Sequence, residues 1–287
     1  MISPISPLQN RRLALGLGTA LVASVLVSCV SGGGGGTRQG TAAALDRILA
    51  GDHRPAADRA RDIYRHPRET LLFFGLRSDM KVVEVWPGTG WYTAILAPLL
   101  HEQGQYYAAT MPSDLDSRLV SSQLKSYQAM LAARPDLYGR VKTTSLGPEG
   151  HDIAPPGSMD MVLTFRNIHN WMAKDWAPQA FETMYKALKP GGVLGVVEHR
   201  GRADLPQDPK AKSGYVNEDY AIALIEAAGF KLVAKSQVNA NPKDTKDYEQ
   251  GVWTLPPTYR LGEKDRERYA AIGESDRFTL KFVKPRR

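Results

Sequence analysis

The chain has 287 residues, 43% of them hydrophobic and 23% charged, the balance of a globular protein with room for one large α/β domain and its core. The formal net charge is +7, but no run of Lys and Arg concentrates it, which argues for a solvated basic surface and against nucleic acid as a partner. A single cysteine excludes any disulfide within the chain.

Residues 1–28 read as an export signal: Arg11-Arg12 is its positive region, and the apolar run from Leu13 to Val27 is too short to favour a spanning helix. Leu26-Val27-Ser28-Cys29 resembles the lipobox of bacterial lipoproteins, in which the cysteine becomes the lipidated first residue. That resemblance implies a membrane partner through Cys29 and a place in the bacterial cell envelope. Val30, where an aspartate would retain the protein, implies by resemblance to proteobacterial sorting the periplasmic face of the outer membrane. Asn10-Arg11-Arg12-Leu13 resembles a twin-arginine signal, which would export a folded protein. Ser31 and the five glycines after it make residues 29–40 a flexible tether, leaving 41–287 as one domain.

Residues 41–76 carry helical stripes (Ala44, Ile48, Leu49; Ala60, Ile63, Tyr64) divided at Pro55 and Pro67, a helical cap ahead of the first strand. Asp58, Arg59, Arg61, Asp62 and Arg65 read as a solvated helix face. Lys81 to Val85 is a short valine-rich run, as in a strand covered on both faces. Gly88 and Gly90 make a tight turn, and the helix that follows, Trp91 to Ala97, ends at Pro98. The helix would aim its positive end at whatever sits in the turn, with the Glu84 carboxylate at the edge of that pocket. Gln105 to Thr110 is the second strand, Ser117 to Ala133 a helix capped by Asp116 or Ser117, and Val141 to Thr144 a short strand. A Gly- and Pro-rich loop (146–157) leads to the strand Ser158 to Phe165 and then to Arg166-Asn167-Ile168-His169-Asn170-Trp171, a loop at the strand's C-terminal end, where doubly wound folds place ligands. Here Arg166 offers a two-point fork for a carboxylate, and His169 a general base near neutral pH. Helix 176–188, the Lys189-Pro190-Gly191-Gly192 turn and the strand Val193 to His199 follow. A long polar loop ends near Tyr215, Asn217 caps a helix that Gly229 stops, and Phe230 to Ala234 is a strand. Two turn-rich loops precede the alternating strand Arg277 to Val283. The histidines and carboxylates lack any tight ligand spacing, so no metal is expected.

In a dinucleotide fold the acid lies about 20 residues after the glycines. Here Glu84 precedes Gly88 and Gly90, which resembles motif I of the class I S-adenosylmethionine-dependent methyltransferases, with Trp86 at the position of the motif's first glycine. The Lys-Pro-Gly-Gly turn before a buried strand resembles the same family, and the combination with Thr-Phe-Arg-Asn-Ile-His-Asn-Trp and Gly-Val-Trp-Thr-Leu-Pro-Pro is similar to a bacterial group of exported methyltransferases without a known substrate. The resemblance, from Lys81 to Val283, implies a doubly wound, Rossmann-like sheet of seven strands, the last antiparallel. It implies S-adenosyl-L-methionine as cofactor, held by Glu84, Trp86, Gly88, Gly90, Thr110, Arg166 and Asn167, with His169, His199 or Tyr215 taking the proton or orienting a small-molecule or envelope-borne acceptor. It leaves open whether Thr110 or Asp114 holds the ribose and whether Glu149 or Asp152 meets the adenine. The competing expectation is a lipoprotein that keeps this fold and binds a small ligand without chemistry.

Overall fold

The computed structural model describes residues 37–113, 118–149 and 152–286; the export signal, Cys29, the glycine run, Asp114 and the Asp116 and Ser117 caps lie outside the described residues. Among the described residues four helices come first: α1 (Arg38–Ala50), α2 (Ala56–Arg59), α3 (Asp62–Arg65) and α4 (Pro67–Phe74). Then come β1 (Lys81–Val85), α5 (Thr93–Leu100), β2 (Gln105–Thr110), α6 (Arg118–Ala133), α7 (Pro135–Tyr138), β3 (Lys142–Ser145) and β4 (Met159–Phe165). The chain closes with α8 (Ile168–Ala173), α9 (Ala177–Ala187), β5 (Leu188–His199), α10 (Glu218–Ala227), β6 (Lys231–Ser236), α11 (Arg266–Ile272) and β7 (Arg277–Val283).

The seven strands form one sheet in the order 3-2-1-4-5-7-6. β1 to β5 run parallel, and β7 lies antiparallel between β5 and β6. Alternation along the central strands feeds two cores: Val83 and Val85 pack with α8, α9 and α10 on one face, Val82 with α1, α4 and α5 on the other. The strand order reverses between β1 and β4, and the crevice of such a sheet opens there.

Local chemistry moves several boundaries from where the sequence puts them. Thr37 caps α1, its Oγ1 accepting the Gly40 N–H at 3.0 Å, so the helix starts inside the stretch read as tether. α5 runs through Pro98 to Leu100. The proline has no N–H for the Ala94 carbonyl, and His53 Nε2 donates to that oxygen instead, at 2.9 Å. Residues 168–173 form a helix rather than a loop because the Glu198 carboxylate, from β5, accepts the Ile168 and His169 N–H groups at 2.6 and 3.4 Å. Asn217 stands at the N-cap of α10 without capping it; its amide reaches the Leu205 carbonyl at 2.8 Å.

The helical cap is tied down at three places. Trp91 donates to the Asp58 carbonyl at 3.2 Å, with the Arg54 and Arg65 guanidinium groups over its ring at 5.2 and 4.5 Å. Asn239 donates to Thr70 and Thr279, both at 2.9 Å, linking α4 to β7. Phe74 lies on Gly195 of β5, where an added Cβ would stand 2.8 Å from the ring and 2.7 Å from Leu163. Gly195→Val is expected to destabilise the fold by about 1–3 kcal/mol through overpacking, read as a lower urea midpoint with an unchanged slope.

Candidate active site

The turn after β1 holds left-handed backbone at Trp86 (φ 53°), Gly88 (φ 62°) and Gly90 (φ 97°). Trp86 therefore keeps the backbone shape that glycine adopts freely, at a cost of roughly 1–3 kcal/mol. Its indole is pinned: Nε1 donates to the Leu146 carbonyl at 2.9 Å, and the ring packs on Trp171 and Trp176 at 5.8 and 5.6 Å. A Cβ on Gly90 would lie 2.2 Å from Met130 Sδ of α6, whereas a Cβ on Gly88 would meet nothing within 4 Å. Gly90 serves helix packing, and Gly88 faces open space.

That space is a crevice of about 970 Å³ at the C-terminal ends of β1, β2 and β4. Trp86 and Trp176 form part of its wall, and the indole of Trp86 does not fill it. Gln123 of α6 also lines it, a polar side chain that no sequence motif singles out. Asn167 helps hold the crevice's strand ends in place: Nδ2 donates to the Val85 carbonyl at 3.0 Å and to Thr164 Oγ1 at 3.2 Å, bridging β1 and β4.

Four guanidinium groups gather at one end. Arg61 and Arg65 descend from the cap, Arg166 follows β4, and Arg277 opens β7. Glu274 accepts from Arg61 Nε at 2.6 Å, from Arg65 Nε at 3.3 Å and from Arg277. Burial opposes its charge, yet Arg277, Arg65 and Arg61 hold its carboxyl well below the usual range. The stretch read as a solvated helix face is thus largely engaged: Asp62 receives the wholly buried Arg54 at 2.7 Å, and Arg65 is itself buried. Among the described residues nothing hydrogen-bonds or ion-pairs with the Arg166 guanidinium. Burial, with Arg277 adding to it, lowers its pKa to about 10.

His169 lines the crevice as well. Its Nδ1 lies 3.1 Å from Glu198 Oε1. Glu198 already accepts the backbone N–H of Ile168, His169 and His199, so it acts as an acceptor throughout and Nδ1 carries the hydrogen. Nε2 is left to take a proton. The His199 ring is 5.5 Å from His169, with Nδ1 2.5 Å from Ser275 Oγ. Burial, then the charges of His169, Arg277, Arg166 and Arg65, hold its pKa well below 6.5, so it stays neutral. His169, Glu198 and His199 offer donor atoms within 4.8 Å of one another, the spacing of a small metal site, but the same guanidinium field opposes a cation there.

The structure thus gathers Trp86, Gly88, Arg166, Asn167, His169 and His199 around the crevice and its adjoining hollow. Thr110 lines a small hollow beside Trp86, Pro87 and Gly88 that shares these walls with the crevice, and the others stand back. The Glu84 carboxylate is buried behind the turn, not at the pocket's edge; Tyr106 donates to it at 2.6 Å and exchanges a 2.8 Å bond with Thr93. The Tyr215 hydroxyl lies 3.0 Å from both Asp244 oxygens. Thr110 Oγ1 donates to the Thr144 carbonyl at 3.1 Å. Glu149 and Asp152 are exposed, Asp152 paired with Lys186 at 2.8 Å. Glu198 is the residue sequence reasoning undervalued; its signal was a lone acid at the end of a strand that otherwise reads as buried.

The strand order 3-2-1-4-5-7-6 with an antiparallel β7 is the class I methyltransferase fold. Among solved structures it matches an S-adenosylmethionine-dependent methyltransferase of Aquifex aeolicus at TM-score 0.54, with 14% identity over 84% of this chain and 98% of that one. The cyclase SpnF matches at TM-score 0.53, with 18% identity over 88% and 95% of the two chains. A phosphoethanolamine N-methyltransferase of Haemonchus contortus, solved with S-adenosyl-L-methionine, matches at TM-score 0.52, with 16% identity over 87% and 58%. In sequence the chain is 27% identical over 167 residues to a ubiquinone/menaquinone biosynthesis C-methyltransferase of Pseudoalteromonas translucida, spanning 58% of this chain and 59% of that protein. No family model matches the chain.

Glu84 gives the site a pH signature. Burial, only partly offset by the Tyr106 hydrogen bond, raises its pKa from 4.5 to about 7. The folded state therefore keeps a proton that the unfolded chain releases, and this contribution to stability is present below pH 4.5 and lost as pH rises through about 7. Wild type is expected to lose stability relative to Glu84→Gln across that window and to hold a constant difference above it, measured by urea unfolding at several pH values.

Proposed function

We propose that this chain is a class I methyltransferase that uses S-adenosyl-L-methionine. The observation that carries this reading is the strand, turn and helix whose backbone is left-handed at positions 86, 88 and 90 and opens at Gly88 onto a crevice at the sheet's switch point. The residues present fit the cofactor: Gly88 leaves open space beside the turn, and Gln123 supplies a polar contact. When bound, S-adenosylmethionine supplies a methyl group on a sulfonium centre. The chain's part is to hold the acceptor in line and take its proton. His169 Nε2 accepts that proton, Glu198 fixes the ring through Nδ1, and His199 stays neutral beside it. Trp91 and the cap close the crevice from above.

The second reading, a ligand-binding protein without chemistry, is favoured by Trp86, whose pinned indole narrows the space beside the turn. Mass spectrometry of small molecules carried by the native protein separates the two. On the first reading, calorimetry on the full chain in detergent gives S-adenosylmethionine binding that Gly88→Val weakens by roughly tenfold or more. His169→Ala is expected to leave that affinity in place and lower the rate of methyl transfer to envelope extract by about 10²–10⁴. No binding heat and no thermal shift at millimolar cofactor would overturn it.

We further propose that the protein is exported and anchored by lipid at Cys29, on the periplasmic side of the envelope, as the lipobox-like Leu26-Val27-Ser28-Cys29 supports. Cys29→Ser is expected to abolish labelling by radioactive palmitate. Arg11→Lys combined with Arg12→Lys is expected to stop export if the folded protein travels by a twin-arginine route; unaffected export would remove that route.

A further inference from the structure

A second hollow, of about 250 Å³, adjoins the crevice and shares Arg61, Arg65, Arg166, His169 and Trp253 with it. Its own walls differ. Val252, Pro256 and Pro257 make part of its wall apolar, and His199, Ser275 and Arg277 also line it. The Trp253 ring, with the His169 ring 5.9 Å away and the Arg260 guanidinium 4.5 Å from its centre, adds a flat aromatic surface.

The charges here are unbalanced. Among the described residues, four guanidinium groups and one carboxylate, that of Glu274, line the hollow. Glu274 engages Arg61, Arg65 and Arg277 and leaves Arg166 without a partner. Arg277 is 2% exposed, and its Nε has no hydrogen-bond partner among the described residues. An unsatisfied buried N–H costs about 1–3 kcal/mol, more on a charged group. A cluster of this kind is completed by an anion, which a guanidinium binds through two parallel hydrogen bonds.

We propose that this hollow is the acceptor pocket and that it takes a small, flat organic anion, its carboxylate or phosphate seated on Arg166 and Arg277 and a hydroxyl at its other end presented to His169 Nε2. The proposal rests on the methyl-transfer reading for the word acceptor; the anion seat stands on the arginines alone. It gives the two ends of the hollow separate duties. The arginines fix orientation, Trp253 and the prolines take the flat body, and the His169–Glu198 pair receives the hydroxyl proton. Neutral hydroxy compounds would leave the guanidinium groups unmet and be rejected.

The test is calorimetry on the full chain in detergent with 4-hydroxybenzoate, its neutral analogue 4-hydroxybenzamide, and inorganic phosphate. The acid is expected to bind at least roughly tenfold more tightly than the amide, to be displaced by phosphate, and to weaken as salt rises. Arg166→Gln is expected to lower its affinity by roughly tenfold with an unchanged melting temperature, because no partner loses a bond, and Arg166→Lys to restore part of it. Saturating S-adenosylmethionine is expected to leave the acid's affinity unchanged. Equal binding of acid and amide, no effect of Arg166→Gln, or no binding of either acid or phosphate would overturn the proposal. So would displacement of the acid by S-adenosylmethionine, since the cluster would then belong to the cofactor's own carboxylate and the methyl-transfer reading would stand without it. Acid binding with no cofactor binding has the opposite meaning: the anion seat is kept and methyl transfer is lost.

Discussion

The site hangs on one buried carboxylate. Glu198 has no exposure to solvent, and a charge in that position is tolerated only when its oxygens are met by donors. They are met by the Ile168, His169 and His199 N–H groups and by the His169 ring. The same four bonds start a helix where the local sequence reads as loop, fix the edge of β5 against the end of β4, and choose which imidazole nitrogen faces outward. Fold and proton chemistry are therefore one arrangement here. Removing the acid would strand several buried donors at once, with the helix and the ring orientation lost together.

The second constraint is long-range. Arg61 and Arg65 meet Glu274 across more than two hundred residues of chain, and Arg277 meets it from the next strand. This knot clamps the cap over the C-terminal edge of the sheet while keeping an excess of positive charge at the crevice. Its members are mutually paired except Arg166, whose left-handed backbone (φ 61°) follows directly on β4. The cap is thus part of the site's electrostatics as well as its roof.

Much of the framework was legible from residues alone. The valine-rich run at 81–85, the strand before Arg166 and the alternating last strand each carry a local signal that burial on one or two faces imposes, whereas the Lys-Pro-Gly-Gly stretch, which reads as a turn, is an irregular first part of β5 whose Gly191 N–H meets the Lys284 carbonyl. The glycine turn was legible as a turn, but the left-handed angle at Trp86 was not, because nothing local requires it of a tryptophan. What escaped was set by partners distant in sequence. Pro98 reads as a helix stop until His53 is seen to satisfy the carbonyl it abandons. Arg61 and Arg65 read as solvated until Glu274 is placed beside them. Tyr215 reads as poised for chemistry until Asp244 is found holding its hydroxyl. Glu84 reads as a rim carboxylate until Tyr106 is seen to cover it.

The tryptophans carry one more consequence. The chain has five, at 86, 91, 171, 176 and 253; four border the crevice, and Trp171 packs against two of those. No tryptophan lies elsewhere to dilute the signal, so the protein's native ultraviolet emission is a reporter of what occupies the space between the cap and the sheet, with no dye or engineered label required.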